Sequence, residues 1–390
     1  MGFLDFMRQP APAAIRRNIT LTDYAFWMNL QGGSSAAGES VNEHSSMGLT
    51  AVHRSVQLIA GTIGSLPLHT YRTAADGSRV RTSSYLDDPG APVGLTRYEW
   101  VETLVAHLLL HGNAFGLVIE NQAGTVAGIQ LIHPSLVSVE LDTSRPGGRR
   151  FRVQVAGQTV EYTEESILHF RGLSTDGVLG YSPIQACRNA IGSGIAADKA
   201  AARMYSNGLL LGGVMSLPED YDEDQAAEVQ ASLQNRLGGA GKAGDIAVIN
   251  AAVDFKPWTM NASDAQFIES RGFQVEEVAR LFGVPKVLLA EDGASTWGSG
   301  IGELIRGFQK FTLAPLTTRI EQVLARSLGG TTFVEFDYAG LLQPDHSQVI
   351  QNMDAEIRAG LLTVDEGRRI LNRPALASAP ATTDNEEVSQ

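Results

Sequence analysis

The chain has 390 residues, of which 43% are hydrophobic and 19% are charged, and it carries a formal net charge of −13. This length allows two or three domains with a sizeable core, and the composition excludes general disorder. The acidic balance argues against tight, general binding of nucleic-acid phosphates, because such binding needs a basic excess.

Residues 1–48 are predicted to form a flexible arm, since "QGGSSAAGESVNEHSSMG" at 31–48 is rich in Gly, Ser and Glu and has no period. The start lacks a basic region followed by an apolar segment, and no apolar run approaches the roughly 18 residues that span a bilayer. We therefore expect a soluble protein that is synthesised in the cytoplasm, with order beginning near Thr50.

Residues 50–175 are predicted to form one mixed α+β unit. Apolar residues at helical spacing from Val52 to Ile63 predict a first helix, and "LPLHTYR" then alternates as a strand. Thr96 and Glu99 form a capping-box pattern that begins a second helix, and Gly112-Asn113 ends it. Several segments after this helix, from "AFGLVIE" to "ESILHFRG", have the composition of antiparallel strands.

Two long helices are predicted next, separated by a small α/β insert at 209–260. The first runs from Ser182-Pro183 to Asn207-Gly208 and is packed with Ala and Gly, which let a helix approach its neighbours closely. The second begins with the capping-box pattern of Ser263 and Gln266 and closes at Gly283.

The remaining chain is predicted to be mostly helical. Pro315 must kink or divide the helix at 301–327, because proline lacks the backbone donor and clashes with the preceding turn. A strand, "TTFVEFDYAGLL", follows, and then two helices joined at Gly360, the second capped by Thr363 with Glu366. The acidic tail at 377–390 is predicted to be disordered.

The stretch "LLAEDGASTWGSGIGELIRGF" at 288–308 could cradle a phosphate, carry a nucleophile or move as a hinge. It has no Gly-Lys-Ser/Thr ending and no G-x-G-x-x-G frame after a strand, and neither Ser295 nor Ser299 lies in a nucleophile-elbow pattern. These absences favour a mobile Gly/Ser loop that carries Trp297. An ordinary surface connector is the alternative.

Two histidines and the single cysteine are candidate reactive groups. His107 and His111 lie four residues apart, as zinc ligands on a helix do, but the sequence shows neither the accompanying glutamate nor a third ligand, so structural histidines are favoured. Cys187 falls in the Ala/Gly helix, where a buried thiol is the default. The cluster of Arg149, Arg150 and Arg152 favours a solvated strand face over a nucleic-acid patch. No cofactor or metal is predicted.

Five phrases in this order resemble the portal proteins of tailed bacteriophages, of the Hong Kong 97 type. They are "SVQLIAGTIGSLPLHTYR", "HGNAFGLVIE", "ILHFRGLSTDGVLGYSPIQACRNAIG", "FQVEEVARLFGVPKVLL" and "AGLLTVDEGRRILNRPAL". The resemblance covers about residues 50–376 and leaves both tails outside it. It implies a ring of twelve copies at one capsid vertex, through which DNA is packaged and later ejected.

The resemblance also implies an α+β portal fold, with each segment assigned to a part. These parts are an arm (1–48), a wing (49–180), stem helices (181–208 and 261–284), a clip (209–260), a tunnel loop with a kinked helix and a wing return strand (285–340), a crown (341–376) and a tail (377–390). The tunnel-loop residues facing DNA would be Ser295, Thr296, Trp297, Gly298, Ser299 and Gly300, with Gly302 and Pro315 as hinge and kink.

The implied partners are further copies of the chain, the major capsid protein, the terminase large subunit, a head–tail connector protein and double-stranded DNA held without sequence specificity. The implied location is the portal vertex of a virion or gene transfer agent, without a membrane.

Two other functions remain open from the residues alone. One is a cytosolic hydrolase with an unrecognised site near the Gly/Ser loop, and the other is an adaptor that binds proteins through the insert.

Overall fold

The chain folds into helices and antiparallel sheets. The computed structural model describes residues 34–142, 148–155, 157–206, 213–216, 254–257, 263–289, 300–341, 346–371 and 373–376. Its contacts divide the chain into two units, the first ending at Phe336 and the second beginning at Asp337.

The described helices of the first unit alternate with strands in the amino-terminal part and follow one another in the later part. In chain order they are α1 (Glu43–Met47), α2 (Thr50–Ser65), α3 (Arg97–His111), α4 (Pro183–Ala186), α5 (Arg188–Ser206), α6 (Ser263–Phe282), α7 (Gly300–Phe308) and α8 (Ala314–Leu328). A π-helical segment, Gln309–Leu313, joins α7 to α8.

The strands pair antiparallel throughout the described residues. They are β1 (Leu68–Thr73), β2 (Arg79–Thr82), β3 (Asn113–Glu120), β4 (Val126–Ile132), β5 (Val137–Asp142), β6 (Gly148–Val155), β7 (Gln158–Thr163), β8 (Ile167–Arg171), β9 (Gly213–Ser216), β10 (Asp254–Pro257) and β11 (Thr332–Phe336). They form sheets in the orders β11-β1-β2, β4-β3-β8, β5-β6-β7 and β10-β9. The strand after the kinked helix therefore returns to pair with β1, in the register Leu68 to Phe336.

One part of the core lies between α2 and α3. The predicted face of α2 is buried, with Val52, Ile59 and Ile63 fully inaccessible to solvent. Trp100 of α3 is also fully buried, and its indole N–H donates to the backbone oxygen of Ile129 over 2.9 Å. The bond satisfies the polar edge of a ring that otherwise contributes apolar area.

A second part of the core lies between the sheets β4-β3-β8 and β5-β6-β7. Phe115, Phe151, Val153 and Ile167 are at most 2% exposed and pack together. Because successive side chains of a strand point to opposite faces, the buried pattern of β6 alternates with exposed arginines.

The predicted boundaries of α3 and the predicted end of α6 are confirmed. Thr96 caps α3 reciprocally with Glu99, and Gly112 ends it in the left-handed region at φ 70°. Helix α6 ends at Phe282, before Gly283 at φ 67°. The long Ala/Gly helix, in contrast, is not continuous, because Cys187 leaves the helical conformation and separates α4 from α5.

Regular structure begins earlier than the sequence predicts, so the prediction of a flexible arm up to residue 48 is corrected for residues 34–48. Ser34 and Ser40 form a β-bridge, Asn42 caps α1, and Val41 is fully buried. The backbone oxygen of Val41 accepts a bond from the buried Gln185 side chain over 2.8 Å. Composition alone could not show this order, because contacts distant in sequence supply it.

The second unit contains α9 (His346–Arg358) and α10 (Val364–Ile370). The predicted cap is confirmed, since Thr363 and Glu366 bond reciprocally at the start of α10. Gly360 has φ 72°, which lets the chain turn between the helices. A side chain at Gly367 would meet the sulfur of Met353 at 3.0 Å, so the two helices approach closely there.

Candidate functional site

The predicted tunnel loop is only partly within the described residues. Ser295, Thr296, Trp297, Gly298 and Ser299 lie outside them. Gly300 is the first residue of α7, and Gly302 lies in the first turn of that helix. A Cβ at Gly302 would approach only the guanidinium of Arg306, at 3.9 Å, so no close packing requires a glycine at this position.

Pro315 lies in the first turn of α8, directly after the π-helical segment. The backbone N–H of Ala314 bonds to the oxygen of Gln309, five residues earlier. The irregularity that proline predicts therefore takes the form of a π turn in an otherwise continuous helical path. Such turns are frequent at functional sites.

The π-helical segment is fastened to the end of α6. The hydroxyl of Thr312 donates to the backbone oxygen of Gly283 over 2.6 Å. A side chain at Gly283 would meet that hydroxyl at 2.9 Å. The end of α6 and the π-helical segment, which lie before and after residues 290–299 in the chain, are therefore held together by this hydrogen bond.

Helices α5 and α6 pack against each other. The glycines of α5, however, face the amino-terminal segment of the same chain. A Cβ at Gly192 would lie 2.2 Å from the side chain of Ser35, and one at Gly194 would lie 3.2 Å from Leu49. Ala200 and Ala202, farther along α5, are exposed.

Three glycines form a backbone junction between α3, β8 and the start of α4. The N–H of Gly172 donates to the oxygen of Gly112 over 2.8 Å. A Cβ at Gly112 would lie 1.9 Å from the oxygen of Tyr181, and one at Gly180 would lie 2.0 Å from the oxygen of Gly112. The main chains meet with no space for a side chain, and the direction in which the helices leave the sheet is set there.

Asn113 holds this junction with its side chain. The amide donates to the oxygen of Gly180 and accepts from its N–H, both over 2.8 Å. The same amide oxygen lies 3.0 Å from the Nε2 atom of His169. Asn113 is only 8% exposed, so its bonds are made away from water and are costly to lose. The sequence showed Asn113 only as part of a helix stop, and sequence reasoning missed this role.

His169 is a neutral group in the fold. Burial lowers the pKa of its imidazole to about 3, with the nearby guanidinium groups of Arg149 and Arg171 acting in the same direction. The ring stacks on Phe115 at 4.5 Å between centroids. A neutral, stacked ring that bonds to Asn113 supports the junction rather than acting as a catalytic base.

His107 and His111 belong to a larger cluster than the sequence showed. His133 lies with its ring centroid 5.3 Å from that of His107 and 5.1 Å from that of His111. The Glu43 carboxylate lies 3.0 Å from Nε2 of His111 and 3.3 Å from Nε2 of His133. The glutamate and the further histidine missing from the sequence pattern thus come from distant segments.

Burial lowers the pKa values of two of these histidines. The pKa of His107 falls to about 4, because the ring is buried and lies near His133 and His111. The pKa of His111 also falls through burial, against the attraction of Glu43. Near neutral pH these imidazoles are therefore uncharged, which is the form that binds metals.

Cys187 is half-buried at the end of α4, where the sequence predicted a position inside a helix. Burial raises the pKa of its thiol, and the carboxylate of Glu277 acts in the same direction. A raised thiol pKa lowers the thiolate fraction, so this environment does not favour a nucleophile.

The arginine cluster on β6 is neutralised by carboxylates. Arg149 pairs with Glu164 and Arg150 with Asp142. Arg152 pairs with both Glu140 and Glu161. Arg150 and Arg152 are exposed, in agreement with the predicted solvated strand face, whereas Arg149 is only 15% exposed and lies on the face of Phe151 and Val153. The pairs leave little excess charge for a nucleic-acid phosphate.

The family model for phage portal proteins matches residues 50–372 of this chain. The chain belongs to the phage portal protein family. This is a family of structural particle proteins, which disfavours the hydrolase alternative. None of the helices in the described part of the chain has the length and apolarity of a bilayer span.

Two curated relatives match most of this portal-family chain. The probable portal protein of Streptomyces phage phiC31 is 32% identical over 355 residues, which cover 86% of this chain and 77% of the relative. The portal protein of Enterobacteria phage HK97 is 31% identical over 353 residues, covering 86% and 81%.

Two solved structures share the fold. A chain in the virion of a native gene transfer agent particle aligns with a TM-score of 0.56 and 23% identity, covering 91% of this chain and all of that one. An HK97-family phage portal protein from Corynebacterium diphtheriae aligns with a TM-score of 0.57 and 18% identity, covering 77% and 96%. The mixed helix and sheet architecture is therefore that of portal proteins.

Proposed function

We propose that this chain is the subunit of a dodecameric portal ring at one vertex of a phage or gene transfer agent capsid. The observation that carries the proposal is the portal family match over residues 50–372, in a fold shared with a chain of a gene transfer agent virion. A particle neck of that kind has been computed with twelvefold symmetry. In this function the ring is the channel for DNA packaging and ejection.

Helices α5 and α6 are the proposed stem around the channel. Their packing supports a paired-helix wall, and the exposed Ala200 and Ala202 keep the side chains small at two exposed positions of α5, where a neighbouring subunit could pack closely. Small side chains allow such an approach between helices. A ring follows when head-to-tail contacts of this kind close on themselves.

The charge of the chain suits a conduit. The net charge of −13 and the paired arginines of β6 give a surface that does not neutralise many phosphates. Double-stranded DNA would then slide through the ring without sequence-specific contacts, because phosphate contacts fix register but do not read bases. The proposed contact with moving DNA is the tunnel loop, with Trp297 as its largest side chain.

The other proposed partners follow the assignment of segments. Residues 49–180 with the β11 return strand form the wing, and residues 341–376 form the crown. Strands β9 and β10 pair at the base of the proposed clip, 209–260, which would contact the terminase large subunit and later a head–tail connector protein. The major capsid protein would surround the ring at the vertex of the particle.

Mass photometry and negative-stain microscopy of the purified full chain test the ring. The expected result is an assembly of about twelve copies of the 41.7 kDa chain with a central hole. Incorporation into particles, detected by gold labelling at a single vertex, tests the location. A chain that stays monomeric and is absent from particles produced by its own capsid genes would contradict the proposal.

A loop variant tests the proposed hinge. We expect Gly298→Ala with Gly300→Ala to reduce packaged DNA while rings still form, because alanine restricts the backbone of the loop. Gly300→Ala alone should package normally, since Gly300 is already helical. Gly307→Ala is the matched control inside α7, where a Cβ would meet nothing within 4 Å. Normal packaging by the double variant, measured as protected DNA per particle, would refute the hinge.

A further inference from the structure

Three metal-binding side chains converge from separate parts of the first unit. Glu43 begins α1, His111 ends α3, and His133 follows β4. One ligand atom from each lies within 4.8 Å of the others. Segments separated by up to 90 positions are not brought together by helical periodicity, so the cluster is a product of the tertiary fold.

We propose that Glu43, His111 and His133 form a binding site for a divalent transition-metal ion of the zinc class. Imidazole nitrogens and a carboxylate oxygen are the donors that zinc accepts, whereas magnesium and calcium prefer oxygen alone. The ion-pair partners of Glu43 in the described part of the chain are both histidines, so the carboxylate is not claimed by a lysine or an arginine.

The distances suit a small ion. Ligands about 2.1 Å from a tetrahedral ion lie about 3.4 Å from one another. Oε2 of Glu43 lies 3.0 Å from Nε2 of His111 and 3.3 Å from Nε2 of His133, so these two pairs need to separate by only a few tenths of an ångström. The ligand atoms of the two histidines lie within 4.8 Å of each other. In binding, the ion takes the lone pair of each neutral Nε2 atom; where Nε2 carries the proton, that proton passes by way of solvent to Nδ1 of the same ring, so each histidine stays neutral.

Ser135 can orient one of the ligands. Its hydroxyl lies 2.7 Å from Nδ1 of His133. Without the ion, Nδ1 accepts the backbone N–H of Ser135 over 3.3 Å, which places the proton on Nε2. When the ion takes Nε2, the proton moves to Nδ1 and the serine hydroxyl accepts a bond from it. The same hydroxyl can instead donate when Nε2 carries the proton, so His133 is supported with or without the ion.

The surroundings are partly dry and allow an ion to enter. The side chains of His111 and His133 are 22% and 39% exposed, and the ring of His107, at 9% exposure, lies edge-on against both. Nδ1 of His107 is buried without a hydrogen-bond partner. The remaining coordination position would be filled by solvent.

A bound ion would fasten the amino-terminal segment to the wing. Residues 34–48 pack on α5 through Ser35 and Gly192, and Glu43 would add a coordinate bond to α3 and to the end of β4. Metal binding would then stabilise the folded chain, because the site does not exist in the unfolded chain. The alternative is a network of hydrogen bonds that holds no metal.

Metal titration of the full chain distinguishes these two states. After removal of metal with a chelator, calorimetric titration with Zn²⁺ should give one site per chain, and Zn²⁺ should raise the unfolding temperature. Titration with Co²⁺ should give the visible absorption of a low-coordinate nitrogen and oxygen site. The Co²⁺ spectrum needs no variant, so it remains decisive if a substitution disturbs folding.

Four variants localise the ion. Glu43→Gln, His111→Gln and His133→Gln should each weaken Zn²⁺ binding at least about tenfold. His44→Gln is the matched control, because His44 is an exposed neighbour of Glu43 on the same short helix, and it should bind as the native chain does. No saturable Zn²⁺ binding to the native chain would overturn the proposal. So would native-like binding by both folded histidine variants, or loss of binding in His44→Gln.

Discussion

Replacing Gly112 with alanine tests whether the backbone junction fixes how the helices leave the sheet. Gly112 has φ 70°, a conformation that side chains disfavour. The added Cβ would lie 1.9 Å from the oxygen of Tyr181 and 2.9 Å from the nitrogen of Ser182. These are backbone atoms, so no rotation of a side chain relieves the overlap.

The expected loss in the free energy of unfolding of Gly112→Ala has two parts. The left-handed conformation costs a residue with a Cβ about 1–2 kcal/mol. Overpacking against a fixed neighbour costs about 1–3 kcal/mol more. Relief by moving the Tyr181 backbone would strain the two bonds between Asn113 and Gly180. We therefore expect Gly112→Ala to lower the free energy of unfolding by about 2–5 kcal/mol.

Gly124→Ala is the matched control. Gly124 has φ 73°, almost the same as Gly112, but a Cβ there would meet nothing within 4 Å. Its expected loss is the conformational part alone, about 1–2 kcal/mol. Urea unfolding of both variants, followed by far-UV circular dichroism at concentrations where the chain is monomeric, measures the difference. Equal losses in the two variants would refute the claim that close backbone contact at Gly112 matters.

Two further predictions concern the residues around this junction. Asn113→Ala should lower the free energy of unfolding in urea by about 2–4 kcal/mol, because it leaves buried groups of Gly180 and His169 unpaired. The control Asn121→Ala, at an exposed position, should lower it less. Equal losses in the two variants would contradict the buried network. The pKa of His169 is about 3 in the fold and about 6.5 when unfolded, so the unfolded chain binds a proton first as pH falls. Above pH 6.5 His169 is neutral in both states and does not change the free energy of unfolding. Between pH 6.5 and pH 3 its protonation in the unfolded chain lowers that free energy, by about 2 kcal/mol at pH 5. His169→Gln should flatten the measured slope of stability against pH by about one proton, and an unchanged slope would rule out the neutral, buried state.

Local sequence determined the elements of this protein. The pairs Thr96 with Glu99 and Thr363 with Glu366 give capping boxes at the predicted positions, because a cap depends on residues only three apart. The buried face of α2 follows from helical periodicity for the same reason. The ordered phrases also sufficed for the family, which the comparisons confirm.

Tertiary structure decided the contacts between these elements. The cluster of Glu43, His111 and His133 and the bonds of Asn113 to Gly180 join segments that are far apart in the chain. Sequence spacing carries no information on such meetings, so the spacing of His107 and His111 could not show that Glu43 and His133 lie beside them. The regular structure of residues 34–48 could not be predicted for the same reason. Their composition is polar and rich in glycine, and contacts with α4 and α5, not local propensity, stabilise the fold of this segment.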